Sequence, residues 1–436
     1  TRDLLGVSED AIDSSLINMK AREEIYIEER EKEDWIYLAT YYKAERNIAE
    51  KLIELRDYNN INEIENLDRK LKKIEKEQKI ELSDKQKEAV KLVNDNNVCV
   101  ITGGPGTGKT TIIKSIIDMY KSEELKVTLC APTGRAAKRM TEATGEEAKT
   151  LHRVLEIGKF ASEDEINPDL LVTPIDANVV IVDEASMIDL FLMNYLMKAL
   201  YNGTKLVLVG DENQLPSVGP GNVLKDIIAS EQVPVVTLNK IFRQAAKSKI
   251  ILNSHKVNEG ESFIGVKQDN EEELLQDFFF IQENNKDNIT KQIVSLCTGR
   301  LERYGNYDFI KNIQVITPTK KGSLGTKELN QVIQSNVNPF ETTKKEKKFG
   351  DVIYRKGDRI MQIKNNYDIF WEKDGNSNEA GSGVFNGEFG TIIDINEMDK
   401  ELVIKFDDDK KAWYSYADLD QIEHAYAITV HKAQRK

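Results

Sequence analysis

Cysteine is scarce in this chain. Its 436 residues hold three, Cys99, Cys130 and Cys297, far apart in sequence. That excludes a disulfide framework and leaves no metal-ligand spacing. Cys99 and Cys130 fall in apolar stretches that read as core strands, where Cys behaves as a small hydrophobe, so a reducing, cytoplasmic setting is expected. No apolar run approaches the roughly 20 residues of a membrane-spanning helix, and no secretory signal opens the chain. The first residue is Thr1, and the expectation is an N-terminus that is not native. An excess of positive charge is missing too. The net charge is −13, so any nucleic-acid contact must come from a local basic groove. No internal repeat is visible. What remains, with 40% hydrophobic and 31% charged residues, is a soluble globular composition long enough for two to four domains.

Against that background one stretch stands out. Gly103-Gly104-Pro105-Gly106-Thr107-Gly108-Lys109-Thr110 spells the phosphate-binding P-loop, G-x-x-x-x-G-K-[ST]. Val98 to Thr102 reads as a buried strand before it, and Thr111 to Ile117 as an amphipathic helix after it, which is the context the motif requires. Glycines let backbone N–H groups turn inward around the β- and γ-phosphates, helped by the positive end of the helix. Lys109 supplies a point charge, and the Thr110 hydroxyl is a ligand for Mg²⁺. The pattern predicts ATP or GTP binding.

A second apolar run, Val180-Ile181-Val182, ends in Asp183-Glu184. In a P-loop protein, acids at such a strand end hold Mg²⁺ (Asp183) and orient and deprotonate the attacking water (Glu184). The segment Gly210 to Gly219 follows another apolar strand and places a polar amide, Gln214, just beyond it.

Organisation changes along the chain. Residues from about 8 to 80 are highly charged and mostly helical in pattern, with Ile48, Leu52, Ile53 and Leu55 at helical spacing. Ser83 reads as the N-cap of the next helix. From Val98 onward, near-continuous apolar strands alternate with helices, as in a parallel sheet buried on both faces. A second αβ region carries a strand at Gln314 to Thr317. Between 345 and 420, alternating runs separated by turns predict a small antiparallel barrel. Within it, Gly375 to Gly383 reads as a polar, mobile loop.

Taken in order, these motifs resemble superfamily 1 helicases of the RecD-like branch, the family of the exodeoxyribonuclease V α subunit and its stand-alone relatives. Leu82-Ser83-Asp84-Lys85-Gln86 is similar to the Q motif, with Gln86 reading the adenine edge. Gly103 to Thr111 is similar to motif I, Ala131 to Ala137 to motif Ia, and Thr150-Leu151-His152 to the next DNA-contacting motif. Asp183-Glu184-Ala185-Ser186 matches motif II, and Gly210 to Pro216 motif III, with Gln214 as γ-phosphate sensor. Phe242-Arg243-Gln244 resembles motif IV; Val384 to Glu388 and Ala427 to Gln434 resemble the late motifs.

The resemblance implies an α/β protein of two RecA-like P-loop domains facing each other across ATP and Mg²⁺. The first would span 81–235, with a pin-like β-hairpin insertion at about 154–175. The second would comprise 236–344 and 421–436, with an SH3-like barrel inserted at 345–420, and residues 1–80 would be a partial N-terminal helical domain. It implies catalytic roles for Lys109, Asp183, Glu184, Gln214 and Arg243, the last as an arginine finger worth roughly 10³–10⁵ in rate. Gly104, Pro105, Gly106, Thr107, Gly108, Thr110, Thr111 and Gln86 would contact the nucleotide. Thr133, Arg135, His152, Thr317, Thr319, Asn386, Thr429 and His431 would contact single-stranded DNA, held by its backbone and by base stacking with little sequence preference. Lys344-Lys345-Glu346-Lys347-Lys348 is a further run that phosphates attract. The activity implied is ATP-dependent, 5′ to 3′ translocation and unwinding by a monomer acting on single strands and duplex junctions, with no membrane partner.

The pattern departs from the family at its end. Relatives continue past the Val-His-Lys-Ala-Gln stretch to a second catalytic arginine, whereas here Gln434 is followed by Arg435-Lys436. The expectation is a truncated or spliced tail, and loss of that arginine would cripple hydrolysis while ATP still binds. The helix-hairpin-helix region of longer relatives would precede Thr1. Two other readings stand beside the helicase. One is a nucleotide-responsive DNA-binding subunit of a helicase–nuclease complex; the other is a P-loop ATPase of another class. No acceptor lid of a kinase and no nuclease carboxylate cluster is evident.

Overall fold

The structure, a computed structural model, describes residues 6–59, 62–157, 171–240, 247–263 and 275–434, the side chains of 376–378 excepted. The chain divides into two compact units, residues 1–280 and 281–436.

In the first unit, helix α1 (Glu9–Ala21) leads into a two-stranded hairpin, β1 (Ile25–Arg30) and β2 (Glu33–Leu38). The sequence pattern predicts helix through this region. The turn explains the difference: Glu31 and Lys32 both adopt positive φ, 52° and 71°, the geometry of the tight hairpin turns that Asn-Gly usually signals. Isoleucine and aromatic residues on both strands then favour pairing. Helices α2 (Ala39–Asp57), α3 (Leu67–Gln78) and α4 (Asp84–Asp95) follow. Ser83 caps α4 as expected: its Oγ accepts from the Gln86 N–H, and Gln86 Oε1 accepts from the Ser83 N–H at 2.9 Å. This reciprocal box satisfies two of the orphan donors at a helix start.

The centre of the unit is a sheet of β3 (Val98–Gly103), β4 (Val127–Ala131), β5 (Ala148–Thr150), β6 (Val179–Val182), β7 (Lys205–Gly210) and β8 (Val235–Leu238). The strands are all parallel, in the order β5-β4-β6-β7-β3-β8. Helices α5 (Lys109–Lys121), α6 (Gly134–Thr144), α7 (Leu151–Leu155), α8 (Leu190–Ala199), α9 (Val223–Ala229) and α10 (Lys249–Asn258) complete the unit. Successive strand residues point to opposite faces. Val98 and Val100 pack with α2 and α8, while Cys99 and Ile101 pack with α3, α4 and α5. Burial on both faces is why these strands are apolar without alternation. The 1–80 region thus lends α2 and α3 to the sheet's two cores. The boundary expected after residue 235 falls inside β8, which pairs with β3, and the division lies at 280/281. Of the expected pin, residues 158–170 lie outside the described set. Residues 154 and 155 end α7, and no strand runs through 171–175.

In the second unit, β9 (Val315–Thr317) is followed by helix α11 (Thr326–Val337). Nine strands then follow: β10 (Glu346–Phe349), β11 (Val352–Arg355), β12 (Arg359–Gln362), β13 (Asn366–Lys373), β14 (Asn376–Val384), β15 (Phe389–Asn396), β16 (Glu401–Phe406), β17 (Lys410–Ser415) and β18 (Ile422–His424). β10 pairs with β11, and the others form an antiparallel sheet in the order β14-β13-β17-β16-β15-β12-β18 around a single core. The mobile loop expected at 375–383 is a strand. β14 pairs with β13, and the bare Gly381 makes room for Trp371, whose Cζ2 stands 2.7 Å from where a Cβ would be. After the sheet the chain returns through β19 (Ala427–Thr429), which pairs in parallel with β9. The short helix α12 (Val430–Gln434) ends the described residues.

A buried carboxylate, Asp358, joins the sheet to α11 and β19. It accepts from His424 Nε2 at 3.0 Å, Tyr426 Oη at 2.8 Å, Gln334 Nε2 at 2.6 Å, Asn338 Nδ2 at 2.7 Å and the Arg355 N–H at 2.7 Å.

Candidate nucleotide and DNA sites

Strands β6, β7 and β3 are neighbours, so the segments leaving their carboxyl ends lie side by side, where ligands of parallel sheets bind. From β3 comes the P-loop. Gly106 and Gly108 take φ of 76° and 84°, a region that costs a non-glycine residue energy. Their turn delivers the chain into α5, whose N-terminus has no side-chain cap, leaving its N–H groups to an anion. Thr107 Oγ1 donates to the Gly104 carbonyl at 2.8 Å, and Lys109 Nζ to the carbonyls of Gly103 at 2.5 Å and Gly104 at 3.3 Å. Thr110 is exposed on the first turn and Thr111 half-buried behind it.

From β6 come the two acids. Glu184 sits at φ 53°, and its N–H donates to Asp183 Oδ1 at 2.9 Å. Burial pushes the Asp183 carboxyl above its usual range, against the bond from the Glu184 N–H and the charges of Lys109 and Arg139. Burial, and then the charge of Asp183, push Glu184 up as well. Glu184 Oε2 and Ser186 Oγ are buried and lack a hydrogen-bond partner among the described residues. An unsatisfied buried carboxylate oxygen carries a desolvation cost, which a cation or an ordered water would offset. The donor set of Thr110 and Asp183, all oxygen, suits Mg²⁺.

From β7 comes Asp211, buried, whose Oδ1 accepts from the Asn213 N–H at 3.0 Å. The Glu212 N–H donates to Thr102 Oγ1 at 3.3 Å, stapling this loop to β3. Gln214 is half-buried in the same loop, its N–H on the Asp211 carbonyl. Arg243 lies outside the described residues. Gln86 is 2% exposed and its Oε1 is committed to the Ser83 cap. Sequence reading missed Arg139, on α6, which faces both acids electrostatically. It places Asp211 in motif III without giving it a role, and it gives none to Thr102. Strand-end position hints at Asp211; nothing local marks the other two.

The expected DNA contacts fall in both units. At the ends of β4 and β5 in the first, Thr133 Oγ1 caps α6 by accepting from the Ala136 N–H at 3.3 Å; Arg135 is exposed and His152 half-buried on α7. In the second, Thr319 and His431 are exposed, while Thr317 is 5% exposed and its hydroxyl donates to the Leu324 carbonyl at 2.6 Å. Thr429 is also buried, its Oγ1 accepting from the Lys432 N–H at 3.3 Å. Both hydroxyls thus already hold a local bond at the ends of β9 and β19. Asn386 is half-buried: its N–H donates to Asn365 Oδ1 at 2.8 Å, and its Oδ1 accepts from Lys432 Nζ at 3.1 Å. Lys432 is a cation that sequence reading left out. The lysine run at 344–348 is engaged locally, Lys344 with Glu341, Lys345 with Asp394, and Lys347 over the Tyr416 ring at 3.8 Å.

Two family models match the chain. Residues 81–277 match the model described as an AAA domain, and residues 329–406 the one described as the ATP-dependent RecD-like DNA helicase SH3 domain. The chain is 33% identical over 354 residues to the ATP-dependent RecD2 DNA helicase of Deinococcus radiodurans, a match covering 81% of this chain and 44% of that protein. It is 27% identical over 475 residues to the RecBCD enzyme subunit RecD of Buchnera aphidicola subsp. Schizaphis graminum, covering 92% and 74%. It spans less than half the length of the Deinococcus relative. A solved structure of Pif1 helicases at forked duplex DNA aligns with a TM-score of 0.44 at 18% identity, over 82% of this chain and 84% of that one.

Proposed function

The chain belongs to the RecD-like helicases of superfamily 1, and from that premise we propose that it hydrolyses ATP to move 5′ to 3′ along single-stranded DNA and to unwind duplex ahead of it, in DNA repair or recombination. The observation that carries this reading is the row of loops on β6, β7 and β3. It gathers the Asp183–Glu184 pair, the Asp211–Gln214 loop and the Lys109 P-loop at one sheet edge.

The chemistry divides among these residues. The P-loop amides and Lys109 bind the triphosphate and spread its developing charge. Mg²⁺, when bound by Thr110 and Asp183, neutralises charge on the phosphate oxygens. Glu184, with a raised affinity for protons and a buried oxygen that has no partner among the described residues, accepts the proton of the attacking water. Gln214 reports the terminal phosphate, and Arg243 is the finger that completes the site. Gln86 sets the start of α4 through Oε1 and meets the adenine edge through Nε2. Thr133, Arg135, His152, Thr319, Asn386 and His431 hold the DNA strand, with Thr317 and Thr429 shaping the turns beside it. Residues 81–280 are the nucleotide lobe; 281–344 and 421–436 are the second, with the sheet at 345–420 inserted. The protein acts as a monomer in the cytoplasm. A role as a subunit beside a nuclease is the second reading, favoured by the likeness to the Buchnera RecD subunit.

The test is ATP hydrolysis with and without single-stranded DNA, beside Lys109→Ala. Stimulation by DNA that Lys109→Ala abolishes is expected, and an unstimulated rate overturns translocation. Strand displacement on 5′-tailed against 3′-tailed duplexes then tests polarity, a preference for the 3′ tail reversing that part.

A further inference from the structure

One side chain touches the P-loop that the nucleotide chemistry above does not use. His255, on the last turn of α10, places its imidazole against Gly104 and Pro105. Its Cε1 lies 2.6 Å, its Nε2 3.2 Å and its Nδ1 3.5 Å from the point where a Cβ on residue 104 would stand. Nε2 is 3.4 Å from the Pro105 carbonyl oxygen. The ring therefore occupies the space a side chain at 104 would need, a reason for glycine there that is separate from backbone conformation.

The helix carrying this ring is anchored. Ser248 Oγ accepts from the Ile251 N–H at 3.3 Å and donates to Asp277 Oδ2 at 2.5 Å, while Asp277 Oδ1 accepts from the Lys249 N–H at 2.9 Å. Lys249 and Asn253 are the buried residues of this helix. On the other side, the residue the ring touches is the one whose carbonyl receives both Thr107 Oγ1 and Lys109 Nζ. A continuous line of contact thus runs from Asp277 through α10 and His255 to Gly104, and from Gly104 to the P-loop lysine.

We propose that His255 is a positioning residue of the nucleotide site: its ring braces the Gly104–Pro105 turn and thereby holds the Gly104 carbonyl, and with it Thr107 and Lys109, in the arrangement that receives the phosphates. A glycine peptide with no neighbour samples many conformations, and ordering it on binding lowers affinity; a packed ring does that ordering beforehand. The role rests on the reading of this loop as an ATP site. It adds α10, a segment outside the P-loop lobe's motifs, to what sets nucleotide affinity.

The experiment is a set of substitutions in the full 436-residue chain, read by binding of a fluorescent ADP analogue and by ATP hydrolysis. His255→Ala should weaken analogue binding and raise the KM for ATP by about tenfold while leaving kcat within about twofold. His255→Gln, whose amide reaches the same carbonyl, should recover part of the loss. Gly104→Ala should weaken binding strongly beside His255 but add little in the His255→Ala background, because the methyl group then enters vacated space; neighbours in contact show such non-additivity. Far-UV circular dichroism and thermal melting check that each variant folds. Unchanged affinity in His255→Ala, or equal Gly104→Ala losses in both backgrounds, overturns the brace. If the unsubstituted chain binds the analogue and Lys109→Ala does not, such a failure falls on His255 alone; if the unsubstituted chain does not bind it, the nucleotide reading and the brace fall together.

Discussion

Glu184 donates its backbone N–H to the Asp183 carboxylate at 2.9 Å while its own Oε2 is buried without a partner among the described residues. The two adjacent acids thus have different surroundings: one is held by a hydrogen bond, the other keeps an oxygen for a water. Paired acids whose environments differ divide into a charge holder and a base.

Glu184→Gln therefore removes the base and leaves the charge holder. Expected is a fall in kcat of about 10²–10⁴, with affinity for the ADP analogue kept within a few-fold. Single-turnover hydrolysis beside equilibrium binding checks the split, and a parallel loss of binding would assign Glu184 a structural role.

Glu388 offers a pH test. Burial raises its carboxyl to about 7 from the ordinary 4.5. Lys410 sits 3.2 Å away but also pairs with Asp408 at 3.0 Å, so Glu388 does not command the whole of its charge. The folded state keeps the Glu388 proton between pH 4.5 and 7, where the unfolded chain has released it. Its contribution to stability is thus full below 4.5 and is lost as pH rises through about 7. Urea denaturation of the parent and of Glu388→Gln at pH 5 and pH 8 should show a drop in the parent, on the order of a few kcal/mol, that the glutamine variant lacks.

Asp358 is a hub whose removal strands its partners. Burial would raise its carboxyl, but the bonds from His424, the Arg355 N–H and Asn338, with the charge of His424, hold it below the usual range. Asp358→Ala should cost about 3–5 kcal/mol in the unit spanning 281–436, seen as an earlier denaturation midpoint. Asp358→Asn, which keeps the shape, should cost less.

Asn386, between β14 and β15, and Lys432, on α12, form a pair at 3.1 Å. If they act together on DNA, Asn386→Ala, Lys432→Ala and the double variant should each weaken single-strand affinity by similar, non-additive amounts. Fluorescence anisotropy against salt concentration reads this out, and only variants lacking Lys432 should show a shallower salt dependence. Additive losses would separate the two residues.

What was legible beforehand was whatever a few neighbouring residues decide. Strand–glycine turn–helix at 98–117 determines a P-loop, because turn, amide cradle and lysine come from one continuous segment. Apolar runs ending at Asp183 and Asp211 determine buried parallel strands with acids at their tips. The Ser83–Gln86 spacing determines a helix cap, although the same bond takes Gln86 Oε1 away from a purely ligand-reading role.

Contacts between distant segments were decided elsewhere. A hairpin turning on Glu31-Lys32 carries no glycine signal; β14 forms from a stretch that looks like a loop because Trp371 fills the space over Gly381. Thr317 donates its hydroxyl to the Leu324 carbonyl and Thr429 accepts the Lys432 N–H at the ends of the paired β9 and β19. The charge of Arg139 acts on the acids, and His255 touches Gly104, only after the chain has folded. Motif chemistry is local and survives in the residue order; burial, pairing and brace contacts are properties of packed surfaces, and packing brings together residues whose sequence separation conceals them.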